Sequence, residues 1–260
     1  MTISPRISIS CHVVPVARLS ESDTTEMFLL FEKYYDGVTK EKFLVDLSEK
    51  QDVFLFYAHG SGQRTLAGFS TIFLRKLSLP KLGLKAFFVF SGDTVIEEAF
   101  WNRKFLQRQF FTYVYSARLR NPAIPLYWML MSKGHKTYLM MRKNFPTSYP
   151  NSLGPTPPNI QAMNDFFYSQ KFGNAYDHKT GLISFEDSGG AVKPQFGFAQ
   201  AKIGSDLDSS FFNLRNPDYA KGIELACIAD IQFRHFFPLI WKQVLKPRLW
   251  RNASRKRQSY

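Results

Sequence analysis

Two places in the chain gather side chains able to move protons. FFVFSGDT, residues 87–94, runs an apolar segment into Asp93 and Thr94, and SKGHKTY, residues 132–138, sets His135, Lys136 and Tyr138 close together. A carboxylate can take a proton from a cation, and an imidazole titrates near neutrality. Thr94, beside Asp93, can position a substrate. Each also has an ordinary reading: Asp93 as a turn or cap residue, His135 as a hydrogen-bonding loop residue. A third feature follows the first. FWNRKFLQRQ, residues 100–109, offers Asn102, Arg103 and Lys104 where a strand gives way to an amphipathic helix. The first N–H groups of a helix have no internal acceptor, so phosphate or carboxylate is favoured there. Arg103 and Lys104 oppose the helix dipole at a cost of about 0.3–1 kcal/mol each when exposed, and a bound anion reverses that sign. A rival reading starts the helix at Thr94, whose spacing to Glu97 fits a capping box, and leaves both cations mid-helix.

The elements that must position these residues alternate. Residues 7–19 have the β-branched content of a strand. Ser20, Ser22 or Asp23 can cap a helix to about Tyr35, with Met27, Leu30 and Phe31 at helical spacing. A short helix in TKEKFLVDLSEK places Phe43, Leu44 and Leu47 on one face. QDVFLFYAH and TLAGFSTIFLRKLSL, separated by GSGQR, read as a β-hairpin. A third strand at 84–95, a helix starting near Trp101, a fourth strand at 126–131 and a helix in KGHKTYLMMRKNF follow. Residues 146–159 are rich in turn formers and form a connector. IQAMNDFFYSQKFG reads as helix, and GLISFE, the region around Phe211 and GIELACIADI read as strands or strand edges.

Composition narrows the classes. A chain of 260 residues with 26 Phe and 12 Tyr can bury a dense aromatic core. No apolar run of membrane-spanning length occurs, and MTISPRISIS lacks the apolar stretch of a secretory signal, so a cytoplasmic location is expected. Cys11 and Cys227 have no partner at metal-ligand spacing and read as buried thiols, and His12, His59, His178 and His235 are scattered. No metal is expected. Of the net charge of +13, residues 231–260 supply +8 with no acidic residue. The aromatic residues among those cations suggest peripheral attachment to an anionic membrane surface, with a helix of two to three turns between Pro238 and Pro247. No zinc finger, recognition helix or RNP-type strand accompanies the tail, so nucleic acid is not the expected partner.

Helix, helix, hairpin, strand, helix, strand, helix is an order that resembles the GNAT superfamily of N-acyltransferases over residues 7–150. The resemblance implies a mixed α/β fold: a central, mostly antiparallel sheet flanked by helices. The expected organisation is a core at 1–150, an α/β extension packed on it at 151–230, and a basic aromatic tail at 231–260. It implies acyl transfer from a pantetheine thioester, acyl-CoA or acyl-carrier protein, to an amine acceptor. Asp93 then takes the place of the strand carboxylate that serves as base, with His135 and Tyr138 as further proton-transfer residues and Thr94 and Lys136 at the substrate. The family's Q/R-x-x-G-x-G/A pyrophosphate loop corresponds to the junction at Asn102, Arg103 and Lys104, where no glycine stands. Glycine serves there because phosphate must approach the backbone with no Cβ in the way. Met140 occupies the place of the usual acidic tyrosine, with Tyr138 a nearby substitute. Long-chain N-acyl amino acid and acyl-homoserine-lactone synthases share such relaxed loops, and an acidic carrier protein suits a basic surface. The alternative is a non-catalytic module of the same fold that binds an anionic partner through its tail.

Overall fold

The computed structural model describes residues 7–60, 62–101, 103–185, 191–193 and 206–235. The first strand, β1 (Ser8–Pro15), leads into α1 (Glu21–Tyr34), β2 (Tyr35–Asp36) and α2 (Lys40–Ser48). Ser20 caps α1 through a reciprocal pair: its hydroxyl accepts from the Asp23 N–H, and the Asp23 carboxylate accepts from the Ser20 N–H. Met27, Leu30, Phe31 and Tyr34 then fall on one buried face. In α2 Phe43 and Leu47 are buried, but Leu44, expected on that face, is 40% exposed, because one residue past Phe43 turns about 100° away from it.

The hairpin is β3 (Asp52–Gly60) and β4 (Gln63–Leu79), followed by β5 (Leu84–Ile96), α3 (Phe105–Arg120), β6 (Leu126–Ser132) and α4 (His135–Asn144). β5 runs as strand through Thr94, so no helix begins there, and α3 starts four residues after the expected Trp101, behind a short 3-10 turn at Glu98–Phe100. Beyond the connector come β7 (Ser148–Tyr149), α5 (Pro158–Phe172), β8 (Tyr176–Asp177), β9 (Leu182–Ile183), β10 (Ala191–Val192), α6 (Leu207–Arg215) and β11 (Glu224–Asp230). Phe211, expected near a strand, is in α6: Asp206 caps that helix through the Ser209 N–H.

Among the described residues the main sheet runs β1-β3-β4-β5-β6-β11-β9-β8, with β7 also on β11. Its pairings are antiparallel except for β5 with β6. The fold is therefore the mixed, mostly antiparallel sheet that the sequence order implies. β11 does not pack onto a finished core: it is hydrogen-bonded along β6, Leu225 opposite Ser132 and Asp230 opposite Tyr127, so residue 150 does not divide the sheet. The residues after Phe236 that were expected to form the tail helix lie outside the described residues.

Strand alternation gives the sheet two apolar faces. Val89, Ile72, Phe54 and Trp128 meet α3, α4 and α6 through Phe110, Val114, Tyr138, Met141 and Phe212. Phe88, Phe90, Phe73 and Met129 meet α5 through Met163, Phe167 and Tyr168. The same side, nearer β3, holds α1 and α2 over Val53, Leu55, Phe69 and Val95.

Candidate functional site

β5 and β6 pair only from Phe87–Phe90 with Leu126–Met129. Past Phe90, β5 keeps β4 as its strand neighbour, while β6 continues along β11. The two parallel strands part, and Trp128 Nε1 donating to Ser91 Oγ at 3.4 Å marks the point of divergence.

A bulge places a carboxylate beside that opening. On β4 Ser70 faces Thr94 and Ile72 faces Ser91, so Gly92 and Asp93 together oppose Thr71. Bulges re-aim side chains in this way. Glycine at 92 leaves room for its neighbours: a Cβ there would lie 2.5 Å from Thr71 Oγ1 and 2.6 Å from Lys50 Cε, so both side chains would have to shift. Lys50 crosses that spot to reach Asp46, its Nζ donating to Asp46 Oδ2 at 2.6 Å and to the Asp46 carbonyl at 3.1 Å. Lys50 is only 6% exposed.

Burial raises the Asp93 carboxyl to about 7, and the nearby Asp46 carboxylate, which also shares a hydrogen bond with it, pushes the same way; Lys50 and then Lys133 oppose the rise. Asp93 keeps partial solvent contact, so protons can reach it. A second carboxyl, Glu224 at the start of β11, is 3% exposed and is raised by burial, against the pull of Lys133. The Lys133 ammonium stands 3.5 Å from Glu224 Oε1. Tyr35 is pushed up to about 12, chiefly by burial and then by the charges of Asp93 and Glu224. Asp93, Glu224, Lys133, Lys50, Asp46 and Tyr35 thus form one electrostatic neighbourhood.

The expected site residues divide. Asp93 is in this neighbourhood. Thr94 is turned to the other face of β5 from its neighbour Val95, its hydroxyl 2.7 Å from Ser70 Oγ. Tyr138 does not join Asp93: it is 1% exposed in the core under α4, donates to the Pro150 carbonyl at 3.0 Å and packs on Phe212. Burial raises its phenol well above the ordinary range. His135 and Lys136 occupy the first turn of α4, and neither is among the groups acting most on Asp93, which are Asp46, Lys50 and then Lys133. Arg103 is exposed, donates to the Ile7 carbonyl at 3.2 Å and lies over the Phe100 ring. Lys104 is exposed at the cap position of α3, whose first turn holds no acidic residue. Asn102 lies outside the described residues.

Lys50, Asp46, Glu224, Lys133 and Tyr35 were not singled out from sequence. Asp46 and Lys50 stand four apart at the end of α2, and Glu224 is the one acidic residue within the run GIELACIA, which is the signal each carried.

No family model matches the chain, and no curated protein matches it. Solved structures similar to part of it include Escherichia coli ElaA, 15% identical over 55% of this chain and 88% of that one, with a TM-score of 0.32. Arabidopsis thaliana NAA60 in complex with acetyl-CoA is 13% identical over 53% of this chain and 84% of its own, with a TM-score of 0.38. A probable N-acyltransferase from Enterococcus faecalis V583 is 12% identical over 53% of this chain and 32% of its own, also with a TM-score of 0.38. Each likeness spans about half of the chain, and the chemistry open to the cleft is set by its own residues.

Proposed function

We propose that the protein is an N-acyltransferase that moves an acyl group from a pantetheine thioester, carried by CoA or by an acyl-carrier protein, to an amine. The observation that carries this reading is a carboxyl raised to about 7, Asp93, set where the parallel strands part. An acceptor amine arrives as an ammonium ion and must lose a proton before its lone pair can attack the thioester carbon. A carboxyl of this kind is about half ionised at neutral pH, so it both accepts and releases protons readily. Attack forms the C–N bond and a tetrahedral oxyanion; collapse breaks the C–S bond. The nitrogen loses its second proton, and the departing thiolate takes one up. Tyr35 is the phenol that shares the neighbourhood of Asp93, and it takes the acid role that Tyr138, held in the core, does not fill. Lys50 and Lys133 keep the ionised form of Asp93 accessible. The open N–H groups at the start of α3, with Lys104, would hold the donor's phosphate.

The cation-rich segment 231–260 suits an acidic carrier protein or an anionic membrane surface. The glycine-free junction and the buried Tyr138 favour the second reading, a module of this fold that binds such a partner without catalysis. The two separate in one experiment. The full chain is incubated with acyl-CoA of several chain lengths, or with acyl-carrier protein, and with a panel of amines, while thiol release and product mass are followed. Amine-dependent release is expected; no release from either donor rejects the enzyme and leaves the binding module.

A further inference from the structure

The hairpin of β4 and β5 outruns its neighbours. β3 follows β4 only to Ile72 and β6 joins β5 only at Phe87, so residues 77–86 project past both strands. A 3-10 turn at Pro80–Leu82 closes the tip. Three other segments reach the same end of the sheet. α3 ends there, in a loop held by Arg118, whose Nη1 donates to the carbonyls of Asn121, Pro122 and Ile124. β6 begins there and β11 leaves there, with the Phe87 N–H donating to the Pro125 carbonyl and the Ile231 N–H to the Leu126 carbonyl. Arg118 also lies over the ring of Phe233, 4.2 Å from its centroid.

These segments bring cations without counter-charges. Lys76, Lys81, Lys85, Arg120 and Arg234 are exposed, and among the described residues none of them forms an ion pair. Residues 53–92 and 99–164 contain no acidic residue, and Asp230 accepts from Gln232 Nε2. Residues 236–260, outside the described residues, follow on from this end with seven more cations and no acid. Large apolar side chains stand beside the cations: Leu82 next to Lys81 is 36% exposed, Leu119 next to Arg120 is 61% exposed, and Phe233 next to Arg234 is 38% exposed. Like charges gathered on one surface repel, and exposed apolar groups gain by leaving water. An anionic bilayer answers both, its headgroups facing the cations and its acyl boundary taking the leucines. A nucleic acid answers only the first.

We propose that this end of the sheet docks on an anionic lipid bilayer, with Leu82 and Leu119 entering the boundary between headgroups and acyl chains and the five cations set against the headgroups. The segment after His235 adds charge to the same contact. Asp93 stays off the membrane. It opposes Thr71, eight residues back from Leu79 along β4, which at ~3.3 Å per residue is roughly 25 Å from the tip. The contact therefore leaves the acyl-transfer cleft open, and it does not depend on that activity.

Co-sedimentation of the full chain with phosphatidylcholine vesicles, with and without phosphatidylserine, tests this. Saturable binding is expected only with phosphatidylserine, and it should fall steeply between about 0.1 and 0.5 M salt as the charges are screened. Lys81→Gln and Lys85→Gln should each weaken it about fivefold. Arg64→Gln removes the same charge near the other end of β4, roughly 50 Å from Leu79, and should change binding by less than about twofold. Leu82→Ser separates lipid from nucleic acid: it should weaken vesicle binding and leave any binding to polyuridylate unchanged. All four positions are exposed, so the circular dichroism of each variant should stay native. No binding to phosphatidylserine vesicles, equal losses from Lys81→Gln and Arg64→Gln, or vesicle binding indifferent to Leu82→Ser overturns the proposal. Polyuridylate bound more tightly than the vesicles would make nucleic acid the partner and overturn it as well.

Discussion

The two halves of β5 have opposite surroundings. From Phe87 to Phe90 the strand is paired on both sides and its side chains are packed by apolar neighbours on both faces. From Ser91 onward it keeps β4 as its strand neighbour, carries a bulge, and has carboxylates and lysines for company. The first half holds the sheet together; the second holds a group whose charged form the fold disfavours. Stability and chemistry are thus placed end to end on one strand, which should let mutations disturb one with little effect on the other.

The sharpest test is Asp93→Asn. If the protein is an acyltransferase, turnover should fall by about 10²–10⁴, the usual worth of a general base. Stability should move the opposite way. The folded-state value of about 7 lies above the ordinary carboxyl value of 3.8, so this group favours the folded state at low pH and that contribution is lost as pH rises through about 7. Asp93→Asn should therefore be more stable than the parent protein at pH 8, with the advantage gone near pH 4, as read by urea melts. In the other half Phe88→Ala should cost about 3–5 kcal/mol, since Phe88 is fully buried and stacks on Phe167 with centroids 5.8 Å apart. Comparable stability losses from both substitutions would erase the contrast.

A finer test uses the two neighbours of Asp93 with opposite effects. Lys50 lowers its carboxyl and Asp46 raises it. The acid limb of the pH–rate profile should move to higher pH in Lys50→Met and to lower pH in Asp46→Asn; shifts in the same direction would mean that the cluster does not control the proton. The smallest effect is expected at Tyr138→Phe. Losing its bond to the Pro150 carbonyl should cost about 1 kcal/mol in stability and leave turnover unchanged; a large loss of turnover would return Tyr138 to the site.

Local pattern made much of this readable. Ser20 with Asp23, the glycine-containing hairpin turn and the β-rich run ending at Thr94 are short-range signals, and each element stands close to where its signal lies. Asp93 was legible as a carboxylate late in a strand, but its environment was not, because Asp46, Lys50, Lys133 and Glu224 arrive from elements distant in sequence. Tyr138 misled for a related reason. It and Met141, three residues on, are the buried residues of α4, so the helix face rather than proximity to His135 decides where its hydroxyl goes. Phe211 stands in a stretch too short for apolar periodicity to separate helix from strand, and the Asp206 cap settles it as helix.

The place of β11 bears on how the chain is made. Ribosomes deliver β6 next to β5 early, but its other neighbour, Glu224–Asp230, is synthesised only after roughly a hundred more residues. At ~5–20 residues per second a nascent chain spends roughly 5–20 s with one edge of β6 open. An open edge is a template for the wrong partner, including the same strand on a neighbouring chain of a polysome. Translation arrested near residue 220 would yield a protein that has Asp93, lacks Glu224, and presents Trp128, Met129 and Leu130 along an unpaired edge. Completion of the sheet and completion of the charged cluster are the same late event.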